Sequence, residues 1–254
     1  MAEDEIKVKS LYKSLKVFEC FKAETPELGI TQISEMLGLN KSNVYNIVST
    51  FEHAGYLEKD EATGKYKMGL KILEFAYIIN ENLGYQRAVY KILENLSKQI
   101  DVIIYFAVPK GGDILYLSAT YPDNGNYDYP ARLIMGEKAP MYCTAIGKAI
   151  LAFMEPEDAE PYIIAPKVRF TENTITEPEE LRKELELTRK RGYSIDNIEH
   201  EKGIKCVGVP VYNSKGRLVA GLSVAGIAIA FTDDKIEKYS RILREASFQM
   251  RDRL

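Results

Sequence analysis

Residues 29–56, GITQISEMLGLNKSNVYNIVSTFEHAGY, constrain this chain more than any other stretch. Their apolar spacing predicts two short helices joined by a tight turn. Thr31 reads as the N-cap of the first, which runs to Leu37 with Ile33, Met36 and Leu37 inward. Gly38 supplies the left-handed residue that ends it. Asn40 is placed to cap the second, Lys41 to Ala54, whose inner side is Val44, Ile47, Val48 and Phe51. Its other side shows Ser42, Tyr45, Asn46 and Ser49, so the second helix opens on polar side chains. A helix so presented is one that can enter the major groove of DNA.

The flanking segments extend this reading. Lys9 to Phe21 predicts an amphipathic helix on Leu11, Leu15 and Phe18. Residues 56–69, YLEKDEATGKYKMG, alternate around Asp60–Gly64 as a hairpin does, a wing beside the helix pair. Lys65 and Lys67 fall on one face of its second strand, at a spacing that suits phosphates. Leu70 to Asn82 reads as a linker helix and Gly84 as a boundary. This divides the chain into residues 1–69, 70–84 and 85–254.

The third part predicts an α+β domain on an antiparallel sheet. A helix from Gln86 to Gln99 precedes a hairpin, Asp101–Val108 and Asp113–Thr120, turned by PKGG. A Tyr-rich loop, Tyr121–Tyr129, leads to a strand near Arg132–Met135 and a helix from Thr144 to Met154. Thr176 to Glu179 has the pattern of a capping box, and Gly192 ends the helix that follows. Strands at Tyr193–Ile198, Ile204–Tyr212 and Leu218–Ile227 precede a last helix capped by Thr232.

Bulk properties exclude several classes. No apolar run spans a bilayer, and MAEDEIKVKS has no signal core, so the expected compartment is the cytoplasm, with no membrane partner. Cys20, Cys143 and Cys206 are scattered, and neither His53 nor His200 has a spacing partner; no metal site and no disulfide framework is expected. Residues 1–82 hold 10 Lys+Arg against 13 Asp+Glu, and the remainder holds 24 of each. A basic domain is absent, so DNA contact must rest on local lysines, helix N-termini and dimerisation.

Both halves, in this order, resemble the IclR family of transcriptional regulators. The resemblance rests on ITQISEMLGLNKSNVYNIVSTFEHAGYLEKD, on MYCTAIGKAILA, on RGYSIDNIEHEKGIKCVGVPV and on LVAGLSVAG, and it covers nearly the whole chain. It implies a winged helix-turn-helix domain, a linker helix and a GAF-like effector-binding domain. It further implies homodimers or tetramers on a double-stranded operator. The expected DNA-facing residues are Thr31, Lys41, Ser42, Asn43, Tyr45, Asn46, Lys65 and Lys67. The sequence departs from the family pattern at Asn46, where an Arg is usual. It departs again at Ile198-Glu199, where an acidic pair is usual, and in Ser223-Val224-Ala225-Gly226-Ile227, which lacks a second hydroxyl.

The segment 143–148, CTAIGK, predicts a helix start with small residues, where free N–H groups and the dipole favour an anion. By resemblance, Ala145 and Ile146 line an effector pocket with Asp196, Cys206 and Ser223. A small organic acid fits these groups: its carboxylate on the helix start, Ser223 donating, Asp196 accepting from a hydroxyl. The bland alternative is that Thr144 only caps and Gly147 only eases packing. No cofactor and no catalytic group is expected, since Cys206 with His200 is the only nucleophile–base pair close in sequence and has no orienting third group.

Overall fold

A computed structural model describes residues 6–82, 86–122 and 134–254. The chain forms two compact units, Met1–Gly84 and Tyr85–Leu254.

In the first unit, α1 (Lys9–Cys20), α2 (Ile30–Leu37) and α3 (Lys41–His53) precede a hairpin, β1 (Leu57–Lys59) and β2 (Tyr66–Met68), and α4 (Lys71–Asn82). Ile33, Val44, Val48, Leu57 and Tyr66 build its core with Val17, Cys20 and Leu28. Gly38 adopts φ 63°, which reverses the chain between α2 and α3. The hairpin pairs antiparallel from Leu57↔Met68 to Lys59↔Tyr66, and Leu28 bridges Tyr66 from outside it. Asp60 Oδ1 accepts from Thr63 N–H at 2.8 Å, tightening the turn.

Three sequence expectations for this unit are corrected. Gly29, not Thr31, is the N-cap of α2; its N–H donates to Gln32 Oε1 at 2.9 Å, and Thr31 lies one position inside the helix. Asn40 holds the N-cap position of α3 but makes no side-chain capping bond. The inner face of α1 is Val17 and Cys20 with Phe18 beside them, while Leu11 and Leu15 stay exposed, as does Met36 of α2. A 3.6-residue period marks an apolar stripe but not which edge of it meets a neighbour.

The second unit is a six-stranded antiparallel sheet in the order β5-β4-β3-β8-β7-β6. Its strands are β3 (Ile103–Lys110), β4 (Asp113–Thr120), β5 (Lys138–Pro140), β6 (Ser194–Asn197), β7 (Ile204–Tyr212) and β8 (Leu218–Ile227). One face carries Ile104, Phe106, Val207, Val209, Leu222 and Val224. It is covered by α5 (Gln86–Ser97) and α9 (Asp233–Arg251) through Leu93, Tyr239 and Leu243. The other face takes α6 (Ala145–Phe153), α7 (Pro156–Ile164) and α8 (Pro178–Arg191) through Ile146, Ile150, Leu181 and Leu185. Strand alternation therefore sends Tyr105, Cys206 and Ser223 toward the α6 side.

Here too the structure differs from the pattern reading. α7 replaces an unassigned stretch. The edge strand is Lys138–Pro140, while the strand expected near Arg132–Met135 and the loop Tyr121–Tyr129 fall largely on residues 123–133, outside the described residues. The N-cap of α8 is Glu177, with Pro178 as the first helical residue; Thr176 Oγ1 instead accepts from Arg169 Nη2 at 2.9 Å. Thr232 does cap α9, accepting from Lys235 N–H.

Candidate functional site

Two glycines seat the start of α6 on the sheet. A Cβ on Gly147 would lie 2.2 Å from Met141 Cα, and one on Gly208 of β7 would lie 2.6 Å from the Ala145 carbonyl carbon. No larger residue permits that approach. Thr144, the N-cap, accepts from Gly147 N–H at 3.1 Å and donates to Pro140 O at 2.8 Å. Lys148 N–H bonds back to Thr144 O. Ala145 and Ile146 are left with first-turn N–H groups that have no intrahelical partner.

In front of this helix start lies a cavity of about 260 Å³. Ala145, Ile146, Asp196, Cys206 and Ser223, from one helix and three strands, all line it. The structure thus brings the five residues expected at an effector pocket to one wall, and it also has Thr144 capping α6 and Gly147 allowing its close packing, as the bland reading of 143–148 expects. Tyr105 and Tyr116, with ring centroids 5.4 Å apart, form an aromatic flank with Ile103, Ile134 and Ile204. Sequence reasoning missed this flank, although alternation in the first hairpin already puts Tyr105 on one face. It also missed the rim: Asp101, Glu137, His200, Glu201 and Lys235.

The electrostatics follow from burial. Asp196, 3% exposed, accepts from Glu199 N–H at 2.7 Å; burial nevertheless pushes its carboxyl up from 3.8 to about 7. Burial, then the neighbouring Asp196, raises the Cys206 thiol well above its ordinary value. A thiol so held is a poor nucleophile. His200 meets Phe170 edge to face at 5.1 Å. Cys143 and Cys20 are buried and free. Behind the cavity, Lys148 is fully buried and paired with Glu199, with Glu184 at 3.5 Å; Glu184 also takes Arg191 at 2.6 Å. Among the described residues, no group of three or more His, Cys, Asp or Glu could hold a metal ion. None of their helices is long and apolar enough to cross a membrane.

In the first unit, Lys41, Ser42, Asn43, Tyr45 and Asn46 share the exposed side of α3, and Thr31 is exposed on α2. Lys65 and Lys67 are exposed at the hairpin, Lys67 3.8 Å from Glu58.

Residues 10–61 match the IclR helix-turn-helix domain, and residues 80–251 match the bacterial transcriptional regulator IclR C-terminal domain. The transcriptional regulator KdgR of Escherichia coli is 30% identical over 94% of this chain and 90% of its own. KipR of Bacillus subtilis is 27% identical over 96% of both. The Thermotoga maritima IclR structure covers 95% of this chain and 97% of its own at 30% identity, with a TM-score of 0.70. An IclR homologue from Microbacterium hydrocarbonoxydans, solved with 4-hydroxybenzoate, shares the fold at 22% identity and a TM-score of 0.78, covering 96% of this chain and 98% of its own.

Proposed function

The chain belongs to the IclR family of DNA-binding bacterial transcriptional regulators, and from that premise we propose that a small organic acid bound in the second unit controls its operator affinity. The observation that carries this reading is convergence on one cavity. Ala145, Ile146, Asp196, Cys206 and Ser223 come from four separate segments yet line the same 260 Å³. An acid's carboxylate sits on the N–H groups of Ala145 and Ile146, where the dipole of α6 favours negative charge. Ser223 donates to it, and Asp196 faces a hydroxyl further along. Tyr105 and Tyr116 cover an aromatic or aliphatic body. The bound 4-hydroxybenzoate of the Microbacterium relative has this chemistry and supports the choice of class.

DNA is read by α3, with Asn43 and Asn46 suited to adenine edges and Lys41 to guanine or phosphate. The hairpin lysines and Thr31 take the backbone. Residues 1–69 form the DNA-reading part, 70–84 the linker and 85–254 the effector domain. A dimer supplies two such helices to successive half-sites in the cytoplasm. Effector binding acts by favouring one arrangement of the subunits over another.

The test has two arms. A screen of aromatic acids, sugar acids and short keto acids by thermal shift is expected to raise the melting temperature for at least one, and Asp196→Asn or Ser223→Ala to abolish that rise. Gel shifts on the chain's own upstream region are expected to weaken with salt and respond to that acid. Absence of any responding acid sinks the effector arm; absence of salt-sensitive binding sinks the DNA arm.

A further inference from the structure

The turn that follows β6 is built differently from every other turn among the described residues. Ile198 sits at φ 63°, and it is the one non-glycine residue there with positive φ. A β-branched side chain in that conformation crowds its own backbone, so the surroundings must impose it. They do so from one loop. Asn173 Nδ2 donates to Asn197 O at 2.9 Å, Thr171 Oγ1 to Ile198 O at 2.6 Å and Thr174 Oγ1 to Glu199 O at 2.6 Å. Three consecutive carbonyls are thereby held by three side chains of residues 171–174. Thr174 is itself fixed, accepting from the N–H groups of Phe170 and Thr171. The turn also closes on itself: Glu199 N–H donates to Asp196 Oδ1, and Asn197 N–H to Glu199 Oε1. From behind, Lys148 of α6 anchors Glu199.

The residues on either side of Ile198 are the ones that matter to the cavity. Asp196 lines its wall, and His200 and Glu201 its rim, whereas Thr171, Asn173 and Thr174 do not reach it. We propose that the 171–174 loop and the strained Ile198 turn are a positioning device, holding the Asp196 carboxylate in the cavity wall from outside the cavity. Residues that touch no ligand then decide how the cavity receives one that offers a hydroxyl. This rests on the reading of the cavity as the effector site.

The device can be read out without any ligand. Asp196 is faced by Glu199 and the His200 amide in its own turn, by Lys148 on α6, by Cys206 on β7, by Tyr116 on β4 and by Cys143 ahead of α6. Burial outweighs these neighbours in raising its carboxyl. In protein labelled with ¹³C-aspartate, the Asp196 carboxyl carbon is assigned by its loss in Asp196→Asn, and its titration midpoint is measured. Thr171→Val with Thr174→Val removes two clamps; water then reaches the carboxylate and the midpoint falls by about one unit or more. A folded double variant whose midpoint stays or rises overturns the proposal. Should the double variant not fold, Asn173→Ala removes the exposed clamp, and a smaller fall supports while no change overturns. Ile198→Asn, which suits the left-handed backbone, is expected to keep the midpoint and raise the melting temperature, and a lower one contradicts the assigned strain. Because no ligand enters, failure here and failure of the acid screen are separate results.

Discussion

Asp196 shows how one side chain acquires chemistry from its surroundings. In the unfolded chain its carboxyl titrates near 3.8; in the cavity wall burial moves it to about 7. Folding therefore binds a proton between those values. The contribution to stability is fully present below pH 3.8, declines as pH rises through the window, and is gone above pH 7. The slope in the window is at most about 1.4 kcal/mol per pH unit. Asp196→Asn keeps the neutral form at every pH. Thermal or urea unfolding is expected to show the variant gaining on the parent chain from pH 4 to 7 and running parallel above. A pH-independent difference would place the proton elsewhere. Cys206, its direct partner across the β6–β7 pair, supplies polarity and bulk rather than reactivity, since burial holds its thiol well above its ordinary value.

At the scale of elements, the seat of α6 is the decisive contact. Gly208 leaves room for the Ala145 backbone, and Ser194 Oγ donates to Ala145 O at 2.5 Å from the neighbouring strand. Gly208→Ala forces the helix start off the sheet. Overpacking of this kind costs about 1–3 kcal/mol, and the same displacement is expected to weaken acid binding in the thermal-shift screen. If stability falls while acid binding holds, the first turn of α6 is not a ligand contact. For the DNA-reading elements the two kinds of contact separate experimentally. Asn46→Ala on α3 is expected to cost about 1–3 kcal/mol on the operator and relax one base position. Lys67→Ala in the hairpin should weaken all sequences alike and lower the salt slope by about one. Binding titrations across a salt series distinguish them. Reversed behaviour would exchange the roles of helix and wing.

The molecule as a whole carries no basic domain to hold it on DNA, with 10 cationic against 13 anionic side chains in residues 1–82. A reader with that charge gains affinity from a second copy rather than from bulk attraction. The first unit has a surface suited to this. Leu73 and Tyr77 follow one line at helical spacing along α4, 63% and 65% exposed, with Leu70 just ahead of the helix 70% exposed. An apolar line of that size on a solvated helix marks a contact surface. If the proposed dimer forms through this face, Leu73→Glu with Tyr77→Glu shifts sedimentation toward the monomer and lowers operator affinity at least about tenfold. Unchanged sedimentation would move the subunit contact to another face.

Fold class was legible along the chain because helix and strand periods, Gly38 and Gly192 as helix stops, and Thr144 and Thr232 as caps are local signals. The two-helix reader, the wing and the antiparallel sheet all followed from them, as did the resemblance that the family match confirms. Where capping depended on a neighbour, local pattern misled: Thr176 is drawn to Arg169 and Thr31 is displaced by Gly29. The buried Lys148–Glu199 pair and the three clamps from residues 171–174 that hold Ile198 in a left-handed conformation join positions 24 to 51 residues apart. No period records such pairings. The order of residues determined most of the helices and strands and which polar side chains of α3 stand exposed. Tertiary packing alone decided that five dispersed residues share a cavity and that one carboxyl in its wall titrates far above its ordinary value, because both depend on excluding water from a place that exists only once the sheet and α6 have closed on each other.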